Sequence, residues 1–182
     1  IRDRSSQPVV VPEGVSDLVH DLGFSHVFES RHWNSFDVAG ARVTLVPCRH
    51  WGARLLHDRR RSFGGYVIET ASGTVYHGGD SAYFDGFQEI GERFKIDIAI
   101  LPIGAYDSPS GRDVHMNPEQ ALSAFEQLGA KHMIPMHYGA YRLSYEPVSE
   151  PPERLQREAS AKGLVDRVNI LREGFPEVFD LR

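Results

Sequence analysis

Residues 96–103 read Ile-Asp-Ile-Ala-Ile-Leu-Pro-Ile, an apolar run broken by one acid. A short run of this kind is a strand covered on both faces, which only a layered protein provides. Strands and helices alternate around it. Residues 41–47 alternate apolar and polar with period two, so one face of that strand is buried. Residues 66–69 and 74–77 flank the turn signal Ala71-Ser72-Gly73 and read as a hairpin. Residues 8–12, 26–29, 36–39 and 131–136 are further strands, and 168–171 is the closing one. Helices are expected over 15–22, ended by Gly23, and over 84–94. A third starts at Asn117: this residue caps, Pro118 takes the first helical position, and Gln120 closes a capping box. Leu122, Phe125 and Leu128 form its apolar stripe, and Gly129 ends it. A fourth opens at Pro151-Pro152 and closes near Gly163. Residues 48–62 form a polar, basic loop. The expected architecture is one layered α/β domain over residues 1–182.

A chain of 182 residues is long enough to bury roughly 70% of its unfolded surface in one core. Its 20 basic and 25 acidic side chains leave a net charge of −5, which argues against a nucleic-acid partner. Cys48 is the single cysteine, so no intramolecular disulfide forms, and a reducing, cytoplasmic location with access to a membrane surface is the expectation. No apolar run approaches the roughly 18 residues of a membrane span. The sequence begins at Ile1 rather than Met, which is expected of a processed chain or of a piece of a longer one.

Three segments share one design: an apolar strand, a side chain able to bind metal, then a loop. They end at His50, Asp80 and His137. Strand ends are rigid mounts around which ligand-binding loops gather. Two imidazoles and a carboxylate suit zinc or a similar divalent ion. Each residue also has an ordinary role available. A histidine at a strand end is commonly a hydrogen-bonded structural residue, and an aspartate after Gly78-Gly79 commonly closes a turn. Cys48 reads as a buried, inert thiol. Arg54, Arg59, Arg60 and Arg61 read as a solvated face, or as phosphate ligands if a metal lies beside them.

Taken together, the stretches PCRHWGARLLHDRRRSFGGYVIE, HGGDSAYFDGFQEIGERF, ILPIGAYDS, VHMNPEQAL, MHYGAY and EPPERL resemble the metallo-β-lactamase superfamily. Within it they look most like the branch containing the N-acyl-phosphatidylethanolamine-hydrolysing phospholipase D and its bacterial relatives. The resemblance runs in order from about residue 8 to the C-terminus. It implies a four-layer αββα sandwich with two zinc ions in the complete site, manganese or iron being acceptable substitutes. His50 would bind the first metal, Asp80 would bridge both, and His137 would bind the second. Tyr138 stands where the family usually has tryptophan, and His115 lies by the substrate. Asp80 and His115 are the expected catalytic residues. Arg54, Arg59, His115 and Tyr138 are the expected substrate contacts. Glycines 78 and 79 are expected to clear space around a shared carboxylate.

The resemblance implies hydrolysis of a phosphodiester by metal-bound hydroxide, on an anionic small molecule or a phospholipid. A lactonase acting on a phosphorylated sugar lactone and a non-catalytic scaffold are the alternatives. The family's H-x-H-x-D-H motif does not occur in the 182 residues. The fold is therefore expected to lack its N-terminal strands and first metal motif. Residues 1–182 alone are expected to be inactive, to bind zinc poorly, and to associate with themselves as a homo-oligomer or with the upstream segment.

Overall fold

The computed structural model of the chain describes residues 7–51, 61–108 and 113–181. Six strands form one mixed sheet in the order β3 (Ser35–Val38), β4 (Ala41–Val46), β5 (Gly65–Thr70), β6 (Gly73–His77), β7 (Ile98–Pro102) and β8 (His132–Met136). The pairs from β3 to β6 are antiparallel, and β6, β7 and β8 are parallel. A second, two-stranded parallel sheet joins β1 (Pro8–Pro12) to β2 (His26–Ser30). The apolar run of residues 96–103 is the β7 segment, one strand in from the edge, with Ile98, Ala99 and Leu101 all buried.

Alternation along β5 shows how the layers stack. Val67 is fully buried in a core that also holds Phe87, Ile90, Phe125 and Leu155 of the helices. Its neighbour Tyr66 faces the other way, and its hydroxyl donates to the Val10 carbonyl of β1 at 3.1 Å. Helices α1 (Gly86–Arg93), α2 (Pro118–Leu128) and α3 (Glu150–Ala161) therefore cover one face of the large sheet, and the small sheet covers the other. This is an α/β sandwich. Among the described residues, only two 3-10 turns, Ser16–Leu18 and His20–Leu22, lie beside the small sheet, so the outer helical layer expected there is not seen.

The start of α2 follows the sequence rule. The Asn117 side chain accepts from the Gln120 backbone N–H at 2.8 Å, and Gln120 reciprocates at 3.1 Å. The 15–22 helix does not form. Neither 3-10 turn buries a residue, so no apolar face repays helix nucleation. The Glu29 carboxylate and the Asp17 carbonyl instead take up local donors from Gly14, Ser16 and His20. The 168–171 strand shrinks to a single bridge between Val168 and Met133. Past that bridge the Asn169 N–H still donates to the Met133 carbonyl at 2.8 Å, and its side-chain amide donates to the Arg167 carbonyl at 3.1 Å.

Helices α1 and α2 approach closely at Gly91. A Cβ there would lie 2.5 Å from the Gln127 carbonyl oxygen and 2.8 Å from that of Leu128. Alanine gains about 1 kcal/mol over glycine in a free helix. Here that gain is outweighed, because backbone oxygens cannot turn aside. Gly91→Ala is expected to destabilise the fold by about 1–2 kcal/mol in urea titration; a stabilised variant would contradict this packing.

Candidate metal centre

The direction of the strands brings the candidate residues together. β4 and β6 are each antiparallel to β5, so they point the same way, and β7 and β8 are parallel to β6. His50 follows β4, Asp80 follows β6, His115 lies in the connection after β7, and His137 follows β8. All of them leave the same edge of the sheet. β4 and β6 are two strand spacings apart, roughly 10 Å, so their exits need a bridge. Ala82 N–H donates to the Arg49 carbonyl at 2.8 Å, and Arg49 N–H to Ser81 Oγ at 3.0 Å. These bonds stitch the His50 loop to the Asp80 loop.

The two glycines before Asp80 have reasons other than clearing space around a shared carboxylate. A Cβ on Gly78 would press on Leu101 at 3.3 Å and on the Ile100 carbonyl at 3.4 Å. Gly79 takes φ +60°, a left-handed turn that glycine adopts without strain. One glycine lets β6 pass β7, and the other turns the chain so that Asp80 faces the site.

Donor atoms of His50, Asp80 and His115 lie within 4.8 Å of one another. His137 Nε2 is 3.6 Å from Asp80 Oδ2. The His115 ring stacks on His137 at 5.1 Å between centroids and meets His50 edge-on at 5.4 Å. The four expected side chains thus form one cluster, and His115 sits inside the donor group rather than at its margin. His50 Nδ1 is 3.1 Å from the Trp51 carbonyl, which can only accept. Nδ1 therefore carries the proton and Nε2 keeps a free lone pair, the arrangement that orients a metal-binding imidazole. His137 has φ 62°, a strained conformation for a side chain of its size. The donor set and its convergence fit a divalent cation.

Burial, followed by the neighbouring His137 and His50, lowers the pKa of His115, which is a neutral imidazole at neutral pH. Burial, then the Asp80 charge, pushes the Cys48 thiol up to about 12, so it is protonated and inert. Tyr138 is half-buried against the core beside His137, and burial raises its phenol. Arg54 and Arg59 lie outside the described residues. Arg61 is tied to Asp17 and to the Gly14 carbonyl, 3.0 Å away in the latter case. Two residues with no sequence signal also belong to the site's walls. Arg142 and Glu146 line a small pocket with His137, Tyr138 and Tyr141.

Asp80 and His137 shift each other in the metal-free protein. The His137 imidazole, 3.6 Å from Oδ2, pulls Asp80 below its ordinary value of 3.8, against burial. The same close contact with the Asp80 carboxylate raises His137 above 6.5, also against burial. A raised histidine gives stability that is complete below pH 6.5 and fades as pH climbs through the folded pKa. A lowered aspartate gives stability that is complete above pH 3.8 and fades as pH falls through the folded pKa. The pair is therefore strongest between those limits. Asp80 is half exposed, and screening keeps the effect within about 1 kcal/mol. The melting temperature of Asp80→Asn is expected to trail the wild type most near pH 5, in the middle of about pH 4–6.5, and least above about pH 8. A difference that does not vary with pH would rule the pair out.

A family model described as the beta-lactamase superfamily domain matches residues 1–138. An uncharacterized protein of Mycobacterium tuberculosis is 34% identical over 155 residues, covering 81% of this chain and 41% of the relative. The mitochondrial N-acyl-phosphatidylethanolamine-hydrolyzing phospholipase D of Saccharomyces cerevisiae is 30% identical over 181 residues, covering 94% of this chain and 39% of the relative. Among solved structures, Igni18, a metallo hydrolase from Ignicoccus hospitalis, superposes with a TM-score of 0.69 at 26% identity, covering 91% of this chain and 66% of that one. The chain thus spans about two-fifths of the length of these two curated relatives.

Proposed function

This chain belongs to the metallo-β-lactamase superfamily, and on that premise we propose that it supplies part of the metal centre of a hydrolase acting on phosphodiesters that carry an apolar group. The observation that carries this reading is the convergence of His50, Asp80, His115 and His137 on one sheet edge. A divalent ion held there, zinc being our choice, would acidify water and neutralise charge developing on a phosphoryl oxygen.

The chain's own residues divide the remaining work. His50 offers Nε2 because the Trp51 carbonyl fixes its proton on Nδ1. Asp80 would provide the negative charge for such an ion. His137, freed of its Asp80 contact, would be a neutral ligand to such an ion. His115, neutral and between two imidazoles, is placed to hold or move a proton at the leaving oxygen. Tyr138 walls the substrate side. Exposed Trp51, Tyr141, Leu143, Tyr145 and Val148 give the neighbouring loops an apolar rim. This rim favours a substrate with an acyl or similar chain over a small sugar lactone.

The full-length protein, loaded with zinc, is assayed against bis-p-nitrophenyl phosphate, an N-acylated phosphatidylethanolamine and a phosphorylated sugar lactone. Turnover of the phosphodiesters supports the proposal, and turnover of the lactone alone replaces it. Arg54→Ala and Arg59→Ala are each expected to raise KM for the phosphodiester while changing stability by less than about 0.5 kcal/mol. An unchanged KM in both variants would return these arginines to a solvated face.

A further inference from the structure

Glu146 sits in the loop that follows His137, and its carboxylate faces backbone rather than imidazole. Its Oε1 accepts from the Ala105 N–H at 2.6 Å, and its Oε2 accepts from the Asp107 N–H at 3.2 Å and from the Ser144 hydroxyl. The Tyr145 N–H adds a backbone bond to the Asp107 carbonyl at 2.9 Å. The loop after β8 is thus fastened onto the segment that leaves β7.

That segment is held in a conformation it would not choose alone. Ala105 has φ 62°, a left-handed value costly for a residue with a Cβ. Beside it, Gly104 lies so close to His137 that a Cβ would be 2.3 Å from the His137 carbonyl oxygen. Successive N–H groups around such a residue form a concave anion seat, and Glu146 fills it. Burial opposes ionisation of Glu146, but its Ser144 and backbone donors outweigh burial and hold its pKa low. Three donors occupy most of the acceptor capacity of this carboxylate and aim it at backbone.

We propose that Glu146 is a positioning residue: by clamping Ala105 and Asp107 it locks the β7 exit against His137 and sets the spacing of His115 and His137 over Asp80. The inference rests on the reading of this cluster as a metal centre, and its test separates the two.

The full-length protein is compared as wild type, Glu146→Ala and Glu146→Gln. Three quantities are read: amide exchange at residues 103–107, imidazole nitrogen signals in metal-free protein, and zinc affinity by titration. In Glu146→Ala, Ala105 and Asp107 are expected to lose exchange protection. The signals of His115 and His137 should shift while those of His20 and His26 stay, and zinc affinity should fall about 10–100-fold. Glu146→Gln keeps an acceptor for Ala105 but turns an amide donor toward Asp107, so it should fall between; if the alanine variant does not fold, the glutamine variant decides. Unchanged exchange and unchanged His115 and His137 signals would overturn the clamp. A wild type that binds no zinc would overturn the metal-centre reading, while exchange and imidazole signals still decide Glu146.

Discussion

Asp80→Asn is expected to abolish most of the proposed phosphodiester hydrolysis while leaving the fold in place. The side chain is half exposed and its size is unchanged, so packing has little to lose. What disappears is the formal charge of the one carboxylate in the cluster, together with its claim on His50, His115 and His137. Charge stabilisation of this kind is worth several kcal/mol in metal-assisted hydrolysis, so the rate should drop on the order of 10³-fold. Bound zinc, measured on the same preparation, should fall with it. Retained activity with retained zinc would remove Asp80 from the centre.

Gly104→Ala is expected to damage the site from behind. The new methyl would meet the His137 carbonyl oxygen at 2.3 Å, far inside contact distance. Neither partner can rotate away: one is backbone, and the other follows β8 in a strained turn. The exits of β7 and β8 must separate, which should cost about 1–3 kcal/mol of stability. The larger effect falls on zinc affinity, expected to weaken about 10–100-fold as His137 moves off Asp80. Denaturant titration and zinc titration together check this. A destabilised variant with intact zinc affinity would show that the close approach serves packing alone.

Features governed by neighbours in the chain were legible in the sequence. The capping box at Asn117, the hairpin at residues 70–73 and the buried run in β7 each depend on residues a few positions apart. His50, Asp80, His115 and His137 were legible as residue types in motif stretches, although only the sheet's strand directions explain why they meet. The 15–22 helix failed because its pattern presents no face to a core. Glycines 78 and 79 stand out in the sequence, but their separate reasons depend on β7 and on a turn angle. Glu146 left no trace, since a glutamate in a polar loop looks solvated and its backbone partners are 41 and 39 residues away.

Four exits from one edge of a sheet also tie metal to folding. His50 and His137 are brought within reach of one ion only after β4 through β8 have assembled, so an unfolded or half-paired chain offers scattered single donors. An ion bound by the cluster then favours the native state alone, and free metal at about 100 times its dissociation constant adds about 2.7 kcal/mol of stability. Metal supply would set how long such a protein survives as well as whether it works.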